Sequence, residues 1–335
     1  MMGAQSRVMA VSSIWSRLSR PTEPIVILVS MFLLVLPLFL DQYWLHLVIY
    51  SLWITVLTAS WSIPASAGQF SLAHTLYLGC GAYVPSVLFL TTGLSPWLGA
   101  IAGVAIACLL ALAIANSTLR MEIPFLAYAV LSLALVQVGV LIVRAVPMLH
   151  GDMGLNIPFR ESNPSFLAAG KAPYFYIILM VAGIVTLVSR YVLTSKMGYY
   201  LRALKQNTRV AKSVGVNVTK YHSLALVLSA AIWAFAGTFW AQYSGFVAPG
   251  TTLNVQIVIT VVIAATVGGV GTLWGPIVVP FLLTLVVEFV RGEIGSQIPG
   301  IGPIIYGVII VVMLLWLKMG IFNWIERRRR VGKAL

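Results

Sequence analysis

The chain has 335 residues, 60% of them hydrophobic and only 9% charged, and its formal net charge is +13. Because a soluble domain carries roughly 25% charged residues, this composition excludes a soluble fold and predicts an all-α, polytopic integral membrane helix bundle. Basic residues in cytoplasmic loops account for the positive charge without a nucleic-acid ligand. Cys80 and Cys108 lie singly in apolar runs, so neither a disulfide framework nor a C-x-x-C site is predicted.

Ten apolar runs approach the length of about 20 residues that a membrane-spanning helix needs. They lie at about 25–40, 44–61, 72–90, 97–115, 125–143, 174–193, 223–243, 254–269, 276–291 and 302–319. The sequence therefore predicts a transmembrane domain from 25 to 320 with about ten spans. We expect a tail at 1–24, where no small-residue site marks a cleaved signal peptide, and a basic tail at 321–335.

Positive charge is distributed unevenly between the two sides of such a bundle. With ten spans, 17 of the 21 Lys and Arg residues fall on the side that holds both termini and the loop at 196–222. The positive-inside rule places this side in the cytoplasm. Eight spans satisfy the same distribution, so the charge pattern indicates an even number of spans without choosing between eight and ten.

The segment SIPASAGQFSLAHTLYLGCGAY at 62–83 interrupts an apolar stretch with proline and glycine. Irregular backbone is tolerated inside a membrane only where protein buries it or where it lines a cavity, and broken segments mark substrate sites in transporters. We therefore predict a broken or re-entrant segment that lines a translocation path or gate. The alternative is that its polar residues hold neighbouring helices together by hydrogen bonds. In that case His74 is a packing residue whose own hydrogen bonds are satisfied. The predicted path residues are Gly68, Gln69, Ser71, His74, Thr75, Gly79 and Gly81.

The loop at 196–222 is basic and contains no acidic residue. Its periodicity predicts one amphipathic helix over 199–215, ended by Gly215 as a C-cap. Such a helix lies in the membrane interface or against a partner and does not cross the bilayer. Its basic arc is Arg202, Lys205, Arg209 and Lys212, and its apolar side contains Leu201, Ala203, Leu204, Val210, Ala211 and Val214.

A second glycine-rich segment, VGGVGTLWGP at 267–276, joins two short apolar runs. It lacks the Gly-Lys-Ser/Thr of a phosphate loop, so nucleotide binding is excluded. Its glycines instead predict a tight re-entrant turn with close helix contact, and Gly99 and Gly103 similarly predict a helix-packing face. The glycines of the predicted turn are Gly268, Gly269, Gly271 and Gly275.

Three segments together resemble a known family. They are GQFSLAHTLYLGCGAY at 68–83, YLRALKQNTRVAKSVGVNVTKYH with the apolar stretch after it at 200–252, and VVIAATVGGVGTLWGPIV at 261–278. In order and spacing they resemble the LivM-type permeases of branched-chain amino-acid ABC importers, over about residues 50–320. The resemblance implies a multi-pass subunit of the bacterial inner membrane that translocates branched-chain amino acids. It implies no cofactor in this chain, because partner subunits use the ATP.

The resemblance also implies partners and assigns the loop at 196–222 to them. The expected partners are a homologous second permease, two cytoplasmic ATPase subunits, and a periplasmic substrate-binding protein that docks outside, on the loop at 144–173. Gln206 and Asn207 stand where the family commonly has acids, and Ala73 stands where a glycine is common, so the exact substrate stays open. The apolar residues of the docking set would seat in an ATPase groove. The expected docking residues are Arg202, Leu204, Lys205, Asn207, Arg209, Ala211, Lys212, Val214 and Gly215.

Three alternatives to this function remain at the level of sequence. A related importer could carry urea, short amides or other amino or aromatic acids. A self-contained channel or secondary transporter would favour an acid in the middle of a span, whereas Asp41, Glu122 and Glu288 lie at span ends. An intramembrane enzyme would need a paired nucleophile and base or a metal cluster, but the four histidines are scattered singly. We therefore predict no catalytic residue and no metal site.

Overall fold

The computed structural model describes residues 35–120, 125–158, 170–294, 304–305, 307–308 and 320–322. Its helices are α1 (Gln42–Ala65), α2 (His74–Thr92), α3 (Pro96–Arg120), α4 (Phe125–Ala145), α5 (Lys171–Thr194), α6 (Lys196–Gln206), α7 (Thr208–Ser213), α8 (Val218–Ser244), α9 (Pro249–Thr252), α10 (Val255–Gly268) and α11 (Gly275–Ile294). Short 3-10 turns lie at Leu36–Leu38, Pro147–Leu149 and Gly151–Met153. The strands β1 (Leu155–Asn156) and β2 (Phe246–Val247) pair antiparallel.

Eight segments in the described part of the chain are long and apolar enough to cross a membrane. They are α1, α2, α3, α4, α5, α8, the α9–α10 pair and α11. The predicted fold class, a polytopic helical membrane bundle, is confirmed. The predicted spans at 25–40 and 302–319 lie mostly outside the described residues.

Contacts divide the chain into two compact units, Met1–Leu45 and His46–Leu335. The described part of the first unit holds the 3-10 turn at Leu36–Leu38 and the first residues of α1. The features described below belong to the second unit.

Helix α1 forms the core of the second unit. In its most apolar window 94% of the residues are buried, compared with 28% for α4. Two indoles tie α1 to α8: Trp53 Nε1 donates to the Ala236 carbonyl at 3.0 Å, and Trp233 Nε1 donates to the Leu57 carbonyl at 3.2 Å. Both buried donors are therefore satisfied, as buried polar groups usually are.

Small residues set a very short distance between α8 and α2. A Cβ atom on Gly81 would overlap the Ala234 carbonyl oxygen, and one on Gly237 would overlap the Leu78 carbonyl oxygen. The Thr238 hydroxyl donates to the Gly81 carbonyl at 2.7 Å. Close backbone approach through small residues is a common way for membrane helices to associate.

Helix α3 packs against both α2 and α8. A Cβ atom on Gly99 would lie 3.0 Å from the Pro85 Cα atom, and one on Gly103 would lie 3.2 Å from the Cys80 carbonyl oxygen. The helix-packing face predicted at Gly99 and Gly103 is confirmed.

The interruption predicted across 62–83 is shorter in the structure. Pro64 lies within the last turn of α1, and the irregular backbone is limited to 66–73. Gly79 and Gly81 lie inside the continuous helix α2. A broken span does occur at α9–α10, where Asn254 ends the break by capping α10: its side chain accepts from the Gln256 N–H.

Contacts between connections agree with the topology inferred from charge. A Cβ atom on Gly68, between α1 and α2, would lie 3.7 Å from the Lys205 Cα atom of α6, and one on Gly320 would lie 2.7 Å from the Gly269 Cα atom after α10. At the other end, β1 and β2 join the connection after α4 to the one after α8. Connections that touch must lie on the same side of a membrane. The alternating direction of the predicted spans also places the two connections of each pair on the same side.

Candidate functional site

The segment predicted to dock a partner consists of two helices, so the single helix predicted over 199–215 is wrong. Asn207 has extended backbone (φ −160°, ψ 106°) and separates α6 from α7. Its side-chain oxygen accepts from the backbone N–H groups of Arg209 at 3.0 Å and Val210 at 3.1 Å. An Asn in this position satisfies N–H groups that the first turn of a helix leaves unpaired, so Asn207 begins α7.

The apolar residues of this segment separate into an inner and an outer set. Leu204 and Ala211 are 2% and 3% exposed and pack with Val216 in a small core of the segment itself. Val210 and Val214 are 57% and 74% exposed. The apolar residues of this segment therefore have two separate roles. Leu204 and Ala211 hold α6 and α7 together, and Val210 and Val214 are exposed and can contact a partner.

The basic residues of the segment are mostly on the surface. Lys205, Arg209 and Lys212 are exposed, and no acidic partner is recorded for them among the described residues. Arg202 is half-buried: its guanidinium donates to the Leu193 carbonyl at 3.2 Å and lies 4.7 Å from the centre of the Tyr199 ring. We use the term docking surface for Lys205, Arg209, Val210, Lys212 and Val214. Asn207 and Gly215 are exposed beside it, and Gly215 has a φ of +87°.

The inner face of α6 rests on the end of α1. Leu201 is fully buried and packs in one cluster with Ile63, in the last turn of α1, and with Ala67, in the turn that follows. Lys205 lies on the same helix and contacts the turn at Gly68, whose φ is +85°. Helix α6 therefore contacts both the turn at 66–73 and helix α7, which carries most of the docking surface.

His74 connects this turn to α8. Its Nδ1 atom lies 3.1 Å from the Ser71 carbonyl oxygen, and its Nε2 atom lies 3.0 Å from the Ser229 hydroxyl. A carbonyl oxygen can only accept, so Nδ1 carries a proton, and a neutral ring then accepts from Ser229 at Nε2. The Trp61 indole donates to the same Ser71 carbonyl at 2.9 Å. This geometry fits the packing alternative for His74, and its role in a path stays a prediction.

Two other predicted path residues, Gln69 and Thr75, each have a buried side-chain oxygen without a hydrogen-bond partner among the described residues. Gln69 is 7% exposed and Thr75 is 0% exposed, yet no partner is found for Gln69 Oε1 or Thr75 Oγ1 in the described part of the chain. Two further hydroxyls in the same condition were missed by the sequence reasoning, those of Tyr77 and Tyr128. Tyr77 follows His74 by one helical turn, but both tyrosines stand in apolar runs typical of a core, so the sequence alone does not single them out.

The predicted path glycines have different surroundings. Gly68 belongs to the turn, while Gly79 and Gly81 are packing positions: a Cβ atom on Gly79 would lie 2.5 Å from the Leu253 Cδ2 atom. The structure thus brings Gly68, Gln69, Ser71, His74 and Thr75 together, and it places the other two glycines farther along α2.

The glycine-rich turn between α10 and α11 has the tight form that the sequence predicts. A Cβ atom on Gly268 would overlap the Gly275 carbonyl oxygen, and the converse is also true. Gly269 and Gly271 have φ values of +103° and +93°, which favour glycine. The Thr272 hydroxyl closes the turn by donating to the Gly269 carbonyl at 2.8 Å.

Comparison with known proteins identifies the family. The family described as branched-chain amino acid transport system / permease component matches residues 43–317, more than four fifths of the chain. The chain is 25% identical over 149 residues to the high-affinity branched-chain amino acid transport system permease protein LivM of Salmonella typhimurium, covering 44% of this chain and 34% of that protein. It is 24% identical to the LivM protein of Escherichia coli over the same shares.

An archaeal relative is similarly distant. The chain is 25% identical over 166 residues to the probable branched-chain amino acid transport permease protein LivH of Methanocaldococcus jannaschii, covering 48% of this chain and 50% of that protein. The matched region thus spans about a third to a half of the length of these curated relatives. No solved structure is significantly similar to the chain. With the family matched over most of its length, the chain belongs to the branched-chain amino acid transport system permease components, a family of multi-pass membrane transport subunits.

Proposed function

We propose that this chain is the membrane-spanning permease subunit of an ABC importer that translocates branched-chain amino acids delivered by a periplasmic binding protein. The names of its relatives, high-affinity branched-chain amino acid transport system permease proteins, support the permease role and the substrate class. In the proposed assembly a homologous second permease spans the membrane beside it, and two cytoplasmic ATPase subunits bind and hydrolyse the ATP. The chain itself carries out no chemistry and holds no cofactor.

The observation that best supports the proposal is the position of α6. Most of the docking surface lies on α7 and the residue that follows it, where Arg209, Val210, Lys212 and Val214 are exposed. Helix α7 in turn packs on α6, since Leu204 and Ala211 share one buried cluster. Helix α6 packs through Leu201 on the end of α1 and through Lys205 on Gly68. A partner that moves the docking surface would therefore move the turn at 66–73 through these side-chain and backbone contacts.

The proposed orientation puts α6, α7 and both termini in the cytoplasm of a bacterial inner membrane. The uneven distribution of lysine and arginine supports it. We propose that ATP-driven closure of the ATPase pair pushes on α6 and rocks the spans around the turn, which opens and closes the path on the cytoplasmic side.

Cysteine cross-linking tests the docking proposal. In the complete transporter, Val210→Cys and Val214→Cys should capture the ATPase subunit with a short cross-linker. Met153→Cys is a matched control, because Met153 is 87% exposed at the opposite end of the bundle. Capture by Met153→Cys, or none by either valine position, would contradict the proposal.

A functional variant completes the test. Val214→Asp should lower ATP-driven uptake several-fold, because a buried charge at an interface is costly, while an exposed substitution leaves bundle stability within about 0.5 kcal/mol. Uptake by this chain in liposomes without ATPase subunits would instead support a self-contained channel.

A further inference from the structure

The first turn of α2 has backbone donors that the protein does not pair. Ala73 occupies the N-cap position, and its side chain makes no capping hydrogen bond. The Ser71 hydroxyl accepts from the Ala73 N–H at 3.3 Å, and the Leu76 N–H donates to the Ala73 carbonyl at 2.9 Å. Within the described ranges, no acceptor is recorded for the N–H groups of His74 and Thr75. Such a helix start carries partial positive charge and favours anions.

Buried hydroxyls without partners surround this helix start. Thr75 and Tyr77 are 0% exposed and Tyr128 is 7% exposed, and the hydroxyl of each finds no hydrogen-bond partner. The Tyr77 ring packs edge-on against the His74 ring, with the ring centres 5.5 Å apart, and Tyr128 stands one helical turn before Ser132 on α4. Helix α4 is fixed here by Ser132, whose hydroxyl accepts from the Leu72 N–H at 3.0 Å.

Each of these backbone N–H groups and hydroxyls can donate a hydrogen bond, and two acceptors beside them are already used. The Ser71 carbonyl is occupied by His74 and Trp61, and His74 Nε2 is occupied by Ser229. Leaving a buried polar group unpaired costs about 1–3 kcal/mol, so an anionic acceptor would stabilise several groups at once. Among the buried side-chain oxygens of the turn in the described part of the chain, Gln69 Oε1 has no hydrogen-bond partner, and such an oxygen suits an ammonium group.

We propose that the start of α2 binds the α-carboxylate of the transported amino acid, with Tyr128, Tyr77 and Thr75 as donors and Gln69 Oε1 as the acceptor for the α-ammonium group. A zwitterion fits this set because no charged side chain is needed to balance it. This inference rests on the proposed function. Since Gly68 beside Gln69 contacts α6, the site lies where movement of the docking surface would release the amino acid.

Ligand-induced thermal stabilisation of the purified complete transporter tests the site. The unfolding temperature of the wild-type complex should rise with L-leucine and with 4-methylpentanoate, which keeps the carboxylate, and should rise far less with leucinamide. Tyr128→Phe removes only a hydroxyl and should weaken the apparent affinity for L-leucine roughly ten-fold or more, because a hydrogen bond to a charged group is lost. Tyr77→Phe should act in the same direction.

Tyr83→Phe is the matched control. Tyr83 is also a buried α2 tyrosine whose hydroxyl lacks a partner, but it lies six residues beyond Tyr77, so this variant should keep the wild-type response. Equal L-leucine responses in Tyr128→Phe and the wild type would show that the hydroxyls bind water only and would overturn the site. Two further results would overturn the site: leucinamide stabilises the complex as much as L-leucine does, or none of the three probes stabilises it.

Uptake measurements distinguish failure of the proposed site from failure of the proposed function. ATP-driven leucine uptake by the wild-type complex together with an unaffected Tyr128→Phe variant would reject the site alone. Absence of amino-acid uptake by the wild-type complex would reject the proposed function itself.

Discussion

Single glycines determine how closely the central helices approach. At Gly81 there is no space for a side chain, because the Ala234 carbonyl occupies the position of a Cβ atom, and the Gly81 carbonyl in turn accepts from Thr238. One missing methyl group thus permits both the helix contact and the hydrogen bond across it.

Gly81→Ala should therefore destabilise the bundle. Overpacking costs about 1–3 kcal/mol, and a backbone carbonyl cannot move aside as a flexible side chain can. Thermal unfolding in detergent should show a lower midpoint than for the wild type. Gly183→Ala is the control: nothing lies within 4 Å of a Cβ atom there, so the midpoint should hold or rise. Equal midpoints for the two variants would contradict the packing described for α2 and α8.

At the same scale, sequence reasoning found part of the candidate site. It singled out Gln69, Ser71, His74 and Thr75 because polar residues are conspicuous beside a glycine- and proline-rich break. It missed Tyr77 and Tyr128, since a tyrosine in an apolar helix looks like core until its hydroxyl is seen to lack a partner. That information depends on how α4 packs on the turn, which no local pattern contains.

At the scale of elements, the docking segment shows where periodicity misleads. Leu204 and Ala211 are seven residues apart, so a continuous helix would place both on one face, and the pattern predicts a single helix. The structure also buries both, but by folding α7 back on α6 around Asn207. The capping preference of Asn was the only local signal of the break.

Asn207→Ala should loosen α7. Loss of an N-cap costs about 0.5–2 kcal/mol, so amide hydrogen exchange should become faster across Thr208–Ser213 and ATP-driven uptake should fall. The unfolding midpoint of the bundle should change little, because the cap contacts only the exposed segment.

Asn207→Asp provides the rescue, since an aspartate can accept from the same N–H groups. Uptake that falls equally in both variants would show that the Asn207 side chain acts by something other than capping α7.

At the scale of the whole molecule, the alternating arrangement of spans was predictable from the sequence. Apolar length and the distribution of positive charge predicted which connections share a side, and the contacts at Gly68, β1 and Gly320 agree with that alternation. Helix packing within the bundle was less predictable, because membrane helices are apolar on all sides and their sequence gives little indication of neighbours.

Labelling of single cysteines tests the orientation. In intact cells a membrane-impermeant maleimide should react with Met153→Cys and should spare Lys212→Cys until the membrane is permeabilised. The native Cys80 and Cys108 are replaced in both variants. The reverse pattern would invert the topology and would place the docking surface outside the cell.

The short ladder between β1 and β2 has a consequence for how such a molecule could move. Leu155 pairs with Val247 and Asn156 with Phe246, and the Ile157 N–H adds a bond of 2.8 Å to the Gly245 carbonyl. These backbone hydrogen bonds join two distant stretches of chain at the end of the bundle opposite the docking surface. Because these bonds resist separation of the two stretches, we expect the larger displacements of the proposed transport cycle at the end that carries the docking surface.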